Sequence, residues 1–342
     1  MEENINLESN SQQVPPISDE VSFQSRIELT KLQESVSKIK EQVSSVIVGQ
    51  HKMIDQLLVA VLSNGHVLLE GVPGVAKTIT AKLLSKILNT NFSRIQFTPD
   101  LMPSDILGTS VFDLKKSEFE FKKGPIFSNL VLIDEINRAP AKTQAALFEV
   151  MEERQITMDG TTYKMNAPFL VMATQNPIEQ EGTYRLPEAQ LDRFLFKISI
   201  DYPDLQEEIM IIQKEHTLQG KGKLDTIAAI LNGSDIVEYQ SLVKQILVEP
   251  HLLEYIAKVV VNTRENTFLY LGASPRASIA LLNAAKGFAA IRGRDFVTPE
   301  DIKDASVPVL RHRVVVTPER EMEGITSEEI IKQIIENVEI PR

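Results

Sequence analysis

Two hydrophobic periodicities alternate along the first 200 residues of the chain. Apolar residues at helical intervals over 27–49 and 52–62 predict two amphipathic helices. Short apolar runs then alternate with helical ones. The runs that predict strands are His66–Glu70, Arg94–Phe97, Leu130–Ile133, Phe169–Ala173 and Phe194–Ile200. Several are apolar throughout, as expected of strands covered on both faces of a parallel sheet, so the pattern predicts a doubly wound five-stranded α/β domain.

Two predicted hairpins interrupt this alternation. The segment 109–124 alternates apolar and polar residues on both sides of Lys116–Ser117. In the segment 156–165, Asp159 and Gly160 tolerate the positive φ of a two-residue turn between β-prone arms. We expect both hairpins to project from the sheet domain rather than build its core.

After Pro203 the pattern changes to amphipathic helices, which predict an all-α second domain. The polar, acidic first residues lack the basic-then-apolar order of a signal peptide. The predicted regions are a disordered acidic tail (1–26), the α/β domain (27–203) and a helical linker with a lid domain (204–342).

Composition excludes several classes of chemistry. The 342 residues contain no cysteine, which removes disulfide and thiolate chemistry, and the five histidines show no metal-ligand spacing. A net charge of -11 disfavours nucleic acid as the main partner. No apolar run approaches the roughly 18 residues of a membrane-spanning helix, so we expect no membrane insertion and a cytoplasmic protein.

A candidate phosphate-binding loop follows the first predicted strand. The sequence GVPGVAKT resembles the pattern G-x-x-x-x-G-K-[ST], with Ala76 in place of the second glycine. Alanine is tolerated there if its φ is negative, as at the start of a helix. Lys77 can reach the β- and γ-phosphates, and the Thr78 hydroxyl can bind Mg²⁺. The predicted phosphate contacts are Gly71, Val72, Pro73, Gly74, Val75, Ala76, Lys77, Thr78 and Ile79.

Polar residues at the ends of two further strands are candidates for the chemistry of nucleotide hydrolysis. Asp134 and Glu135 follow an apolar strand, where Asp134 can hold a hydrated Mg²⁺ and Glu135 can polarise the attacking water. Asn176 follows the next strand, and its amide can help to position that water. Taken alone, such an asparagine is more often a turn residue.

Eight motifs in a fixed order make the resemblance specific. They are VIVGQ, GVPGVAKT, FTPDLMPSDILG, LVLIDEINRAP, KTQAALFEVMEERQIT, ATQNPIEQEGTY, LPEAQLDRF and GASPRA. From about Leu32 to its end the chain resembles the MoxR family of AAA+ ATPases, in which alanine is common at the position of Ala76.

The resemblance implies roles that spacing alone does not give. Val48 and Gly49 are similar to the segment lining the adenine pocket, and Asn176 is similar to sensor 1. Arg193 resembles the arginine finger that enters the neighbouring subunit's site, and Arg276 resembles sensor 2, which we expect to approach the γ-phosphate when the lid closes.

One residue departs from the family pattern, and the two hairpins resemble family inserts. Arg185 stands where the family pattern has proline, which leaves open whether Arg193 or Arg185 acts in trans. The hairpins resemble the helix-2 insert and the hairpin before sensor 1, so both would face a central pore.

The resemblance also implies a homo-oligomeric ring, by family default a hexamer, that uses ATP and Mg²⁺ to remodel a protein client. A partner carrying a von Willebrand factor A domain is implied in the same way. A chelatase-like motor for metal insertion would use the same fold and site. A DNA translocase is disfavoured by the acidic charge, and a nucleotide-gated scaffold with little turnover is disfavoured by the intact Lys77, Asp134 and Glu135.

Overall fold

The computed structural model describes residues 27–72, 74–177, 182–218, 224 and 227–340, so the predicted tail over 1–26 and Pro73 lie outside the described residues. In chain order the elements are α1 (Thr30–Val46), α2 (His51–Leu62), β1 (Val67–Gly71), α3 (Lys77–Ile87), β2 (Phe92–Gln96), α4 (Pro103–Leu107), β3 (Gly108–Asp113), β4 (Glu118–Lys123), β5 (Leu130–Asp134), α5 (Ala141–Glu153), β6 (Gln155–Met158), β7 (Thr161–Lys164), β8 (Leu170–Gln175), α6 (Glu188–Leu191), β9 (Phe196–Ile200), α7 (Leu205–Leu218), α8 (Gly233–Lys244), α9 (Pro250–Glu265), β10 (Leu269–Leu271), α10 (Pro275–Ile291), α11 (Pro299–Leu310), β11 (Val315–Val316), α12 (Pro318–Met322) and α13 (Ser327–Asn337). Short 3₁₀ turns occupy 125–127 and 136–138.

The central sheet has five parallel strands in the order β2-β5-β8-β1-β9. Every residue of β5 is buried, and β8 is buried up to its last residue, because both faces of the sheet are covered. All five predicted strands are present, with ends displaced by at most two residues. Because the strands are parallel, their carboxyl ends meet along one edge of the sheet, where the predicted phosphate loop and Asp134 lie.

Both predicted hairpins are confirmed. β3 pairs with β4 around a turn in which Ser117 has a φ of 53°, and β6 pairs with β7 through Asp159 and Gly160, with φ of 49° and 77°. The two positive angles are those of the two-residue turn that the sequence predicts. The hairpins contact each other, since the Phe121 and Tyr163 rings lie with centroids 4.7 Å apart.

The carboxyl-terminal part is helical, with one exception to the all-α prediction. β10 and β11 form a short antiparallel pair, which three- and two-residue segments are too short to reveal as a pattern. α10 packs closely on α2 at Gly287. A Cβ atom there would lie only 2.6 Å from Val59 Cγ1, so the close contact requires glycine. Within the described ranges no helix combines the length and apolarity needed to cross a membrane.

His66 connects the amino-terminal end of β1 to β8 and α5 through hydrogen bonds. Its Nδ1 atom accepts a hydrogen bond from the Val171 amide at 3.0 Å, and its Nε2 atom lies 3.1 Å from the Met151 carbonyl oxygen. With one ring nitrogen an acceptor and the other a donor, the imidazole is neutral. Burial, followed by the charge of Arg154, lowers the pKa of His66 to about 3.

We therefore expect the free energy of unfolding to fall as the pH drops below 6.5. The unfolded chain takes up a proton near pH 6.5, whereas folded His66 stays neutral until about pH 3. Its contribution is therefore complete well above pH 6.5 and is lost progressively as the pH falls from 6.5 towards 3. The loss from His66 is about 2 kcal/mol between pH 7 and pH 5. Denaturant titrations at both pH values should show a smaller difference in His66→Gln and an unchanged one in the exposed control His251→Gln. Equal differences in both variants would contradict the assignment.

Candidate active site

The phosphate loop connects the carboxyl end of β1 to the first residue of α3. Lys77 opens the helix, and its Nζ atom donates a hydrogen bond to the Gly71 carbonyl oxygen at 2.6 Å, which holds the side chain across the loop. Gly74 has a φ of 90°, and, apart from its chain neighbours, no described residue has a heavy atom within 4 Å of the position that a Cβ would take there. The loop thus has open space beside backbone amides at a helix start, an arrangement that suits phosphate.

The backbone of Ala76 corrects one expectation. Its φ is 62° and its ψ is 15°, a left-handed conformation, whereas the sequence argument required a negative φ. The chain needs this turn to pass from the loop into α3, and glycine would adopt it without a Cβ penalty. Alanine in this conformation costs roughly 1–2 kcal/mol, which the surrounding packing must offset.

Gly71 and Gly49 are required by close packing. A Cβ at Gly71 would lie 2.7 Å from the Ile200 carbonyl oxygen, so the glycine lets β1 approach β9. Gly49 has a φ of 66°, and a Cβ there would collide with the Glu207 carboxylate. The segment with Val48 and Gly49, predicted to line the adenine pocket, therefore lies against the start of α7 at the carboxyl edge of the sheet.

Asp134 ends β5 as a buried carboxylate held from both neighbouring strands. Arg94 Nε on β2 donates to its Oδ2 atom at 2.6 Å, and the Thr174 hydroxyl on β8 donates to its Oδ1 atom at 3.2 Å. The Asp134 carboxylate thus already forms an ion pair with the guanidinium of Arg94 on its β2 side. Asp134 is thus fixed in position by two residues that the sequence argument did not single out.

Glu135 directly follows β5, and the chain turns at this residue. Its φ is 57°, and its amide donates to the Thr174 hydroxyl at 3.0 Å. Its half-exposed carboxylate lies 2.9 Å from Gln96 Nε2 and 2.9 Å from Arg138 Nε. Asn176 follows Gln175, which pairs in register with Glu70, so its position is beside Gly71 on the same edge.

Arg193 and Arg276 lie together on one carboxylate. Arg193 Nη1 is 3.2 Å from Glu152 Oε2, and Arg276 Nη2 is 3.1 Å from Glu152 Oε1. Arg193 also donates to the Phe148 carbonyl oxygen at 3.2 Å. Its Nε atom is buried and has no hydrogen-bond partner among the residues that the structure describes.

This arginine pair is at the amino-terminal edge of the sheet, opposite the phosphate loop. Arg193 precedes Phe196, which pairs with Val67 at the start of β1, and Glu152 follows Met151, which contacts His66. A five-residue strand separates the two edges by about 16 Å. Arg276 is therefore beside Arg193 and not beside the phosphate loop of its own chain. The expected approach to the γ-phosphate on lid closure stays a prediction.

Arg185 has a different environment from Arg193. Its side chain is 85% exposed and pairs locally with Glu188, three residues along, at 3.1 Å. The Arg193 side chain is 28% exposed and shares Glu152 with Arg276. An exposed local pair restrains a side chain weakly. Of the two candidates for a residue acting in trans, Arg193 is the more firmly oriented.

Arg94, Thr174 and Glu152 are site residues that were not predicted from the sequence. Arg94 and Gln96 are polar residues two apart on β2, so they share a face, and Thr174 is polar within the apolar run of β8. Those two signals were available in the strand pattern. Glu152 offered none, because its role depends on Arg276, which comes 124 residues later in the chain.

The residues present fit ATP with Mg²⁺. The Thr78 hydroxyl and the Asp134 carboxylate are the hard oxygen donors that Mg²⁺ prefers, and the open loop at Gly74 leaves room for phosphate oxygens. Mg²⁺ held by these oxygens would supply positive charge to offset the negative charge on the phosphates. Lys77 would orient the β- and γ-phosphates, and the Glu135 carboxylate would accept a proton from water at the carboxyl edge.

Comparisons with known sequences and structures relate this chain to other proteins. A family model described as the ATPase family associated with various cellular activities (AAA) matches residues 66–196, and one described as the AAA lid domain matches residues 261–334. Chaperone MoxR1 of Mycobacterium tuberculosis is 44% identical over 310 residues, which cover 88% of this chain and 81% of MoxR1. An uncharacterized Bacillus subtilis protein, YeaC, is 45% identical over 307 residues, 90% of this chain and 95% of YeaC. A crystal structure described as that of a candidate ATPase from Cytophaga hutchinsonii has a TM-score of 0.85 and 41% identity, covering 92% of this chain and 97% of that one.

The parallel sheet, the phosphate loop and the carboxylates at its carboxyl edge define an AAA ATPase, which hydrolyses ATP. Within that class the chain belongs to the MoxR family of AAA+ ATPases. The predicted resemblance, fold class and enzyme class are thus confirmed.

Proposed function

We propose that this ATPase works in the cytoplasm as a homo-oligomeric ring that uses ATP hydrolysis to remodel or mature a partner protein. The observation that carries the proposal is the joint position of Arg193 and Arg276 at the edge of the sheet opposite their own phosphate loop. Cationic groups of this kind stabilise a phosphoryl transition state only when they reach the phosphates. The phosphates they serve are therefore those of a neighbouring subunit.

A ring follows from this arrangement. When each subunit completes the site of the next, the contact is heterologous, and a closed cyclic assembly gives every site a partner. The family resemblance makes six the proposed number of subunits. In each site Lys77 and Thr78 would come from one subunit together with Asp134 and Glu135, and the arginine pair would come from its neighbour.

The exposed tip of the β3–β4 hairpin is the proposed contact for a client protein. Phe112 and Phe119 pack edge to face with centroids 5.2 Å apart, and both are exposed, as is Leu114. Exposed aromatic groups on a projecting hairpin favour contact with another protein surface. The hairpin continues through the 3₁₀ turn at 125–127 into β5, which ends at Asp134, so movement of this strand would reach the tip.

A protein with a von Willebrand factor A domain is the specific partner that we propose, because the family resemblance implies it. The name of the relative MoxR1 describes that protein as a chaperone, which supports the same kind of role here. A suitable first experiment is capture with the Glu135→Gln chain and ATP, because this variant should hold nucleotide without hydrolysing it.

A captured protein is then purified and tested directly. We expect the wild-type chain with ATP to change the protease sensitivity of that partner, and the Glu135→Gln chain to bind it without changing it. The double variant Phe112→Ser/Phe119→Ser should lose binding, whereas the matched control Tyr270→Ser removes an exposed aromatic residue from the lid and should retain it. A partner whose state does not depend on ATP hydrolysis would contradict the proposed remodelling.

A further inference from the structure

One carboxylate joins the two segments that carry the arginine pair. Asp192 directly precedes Arg193, and its Oδ2 atom accepts a hydrogen bond from the Ser274 hydroxyl at 2.9 Å. Ser274 is two residues before Arg276. The Asp192 Oδ1 atom accepts a second bond, from Arg313 Nε at 2.6 Å. Both oxygens of one side chain are thus used to connect the sheet domain to the helical part.

Arg313 makes this carboxylate rigid. Its side chain is only 3% exposed, and it also donates to the backbone carbonyl oxygens of Asp192 at 2.9 Å, Phe194 at 2.6 Å and Leu195 at 3.2 Å. A buried guanidinium needs a counter-ion and satisfied donors, and this turn supplies both. The backbone that leads into and out of Arg193 is therefore held from the α11 side.

Ser274 connects the segment that carries Arg276 to Asp192. It is the N-cap residue of α10, a position where a serine hydroxyl typically accepts a hydrogen bond from a helix amide. Its side chain makes no such capping bond and instead donates to Asp192. Ser274 therefore does not cap its helix in the usual way. Its contact with Asp192 instead places the first turn of α10, with Arg276, beside Arg193.

We propose that Asp192, bound to Ser274 and Arg313, is a positioning residue that presents Arg193 and Arg276 as one unit to the neighbouring subunit. The inference rests on the proposed action of these arginines in trans. Glu152 contacts the two guanidinium groups themselves, whereas Asp192 fixes the backbones that carry them. Catalytic groups lose rate steeply when displaced, so loosening either backbone should slow turnover without changing how ATP binds.

Ser274→Ala tests this without leaving Arg313 unpaired. In the full-length chain we expect about tenfold lower kcat, because small displacements of a catalytic group have effects of this order, with KM for ATP within about twofold of wild type. Ser274→Thr keeps the hydroxyl in an extended backbone that threonine accepts, and should restore kcat to within about twofold. Unchanged kcat in Ser274→Ala, or an equal loss in Ser274→Thr, would overturn the proposal.

Mixed assemblies separate positioning from general damage. Ser274→Ala mixed with Lys77→Ala should recover activity, because Lys77→Ala supplies intact arginines to an intact phosphate loop. Ser274→Ala mixed with Arg193→Ala should not recover, because neither chain supplies the complete unit. If mixing with Lys77→Ala restores activity to Arg193→Ala but not to Ser274→Ala, the positioning role is wrong while the proposed function stands. If Arg193→Ala also fails to recover, the action in trans is wrong, and the positioning proposal fails with it.

Discussion

Glu135→Gln is expected to bind ATP at near wild-type affinity and to lose about 10²–10⁴-fold in turnover, the usual contribution of a positioned general base. The amide keeps the shape of the side chain, and Gln96 and Arg138 surround the same position. It cannot accept a proton from water, so the chemical step should stop after ATP has bound. Steady-state phosphate release and nucleotide titration measure the two effects separately.

Glu149→Gln is a matched control for this substitution. Glu149 is an exposed residue of α5, so the same loss of charge there should leave turnover within about twofold. Hydrolysis by Glu135→Gln within a few-fold of wild type would remove Glu135 as the water-activating group. A parallel loss of ATP affinity would instead indicate that the turn at Glu135, with its positive φ, had been disturbed.

The sheet was predictable because burial on both faces leaves a direct mark on the sequence. β5 and β8 are apolar along almost their whole length, and each ends in polar groups at one edge. The residues predicted to bind phosphate and polarise water are local to these strand ends. Their roles therefore follow from short motifs, and the positions of Lys77, Asp134 and Glu135 relative to the strands agree with the prediction.

The arrangement of Arg276 could not be read from local pattern. Its position depends on how α10 packs against α2, where Gly287 permits close approach to Val59, and on the distant carboxylates of Asp192 and Glu152. These contacts join residues more than 80 positions apart, and no periodicity encodes them. The left-handed conformation of Ala76 was not predicted for a related reason. Local backbone preference favours glycine at such an angle, and the surrounding tertiary packing holds alanine there instead.

Arg193→Ala is expected to bind ATP and to lose about 10³-fold or more in kcat, because an added guanidinium is worth ~10³–10⁵ in phosphoryl transfer. Since Arg193 lies at the edge of the sheet opposite the phosphate loop of its own chain, the loss should arise at the site of the neighbour. Wild-type specific activity should then rise with protein concentration until rings are saturated. Arg185→Ala is the matched control, because its exposed partner Glu188 is local and its removal should leave turnover nearly unchanged.

A mixture of Arg193→Ala and Lys77→Ala, each inactive alone, should regain activity. Some interfaces in a mixed ring join the intact phosphate loop of the first variant to the intact Arg193 of the second, and only those interfaces can hydrolyse ATP. Recovery should follow the fraction of such interfaces as the mixing ratio changes. No recovery in rings shown to contain both chains, together with activity independent of concentration, would exclude Arg193 as the residue acting in trans. Arg185 would then become the candidate, and the same mixing with Arg185→Ala would test it.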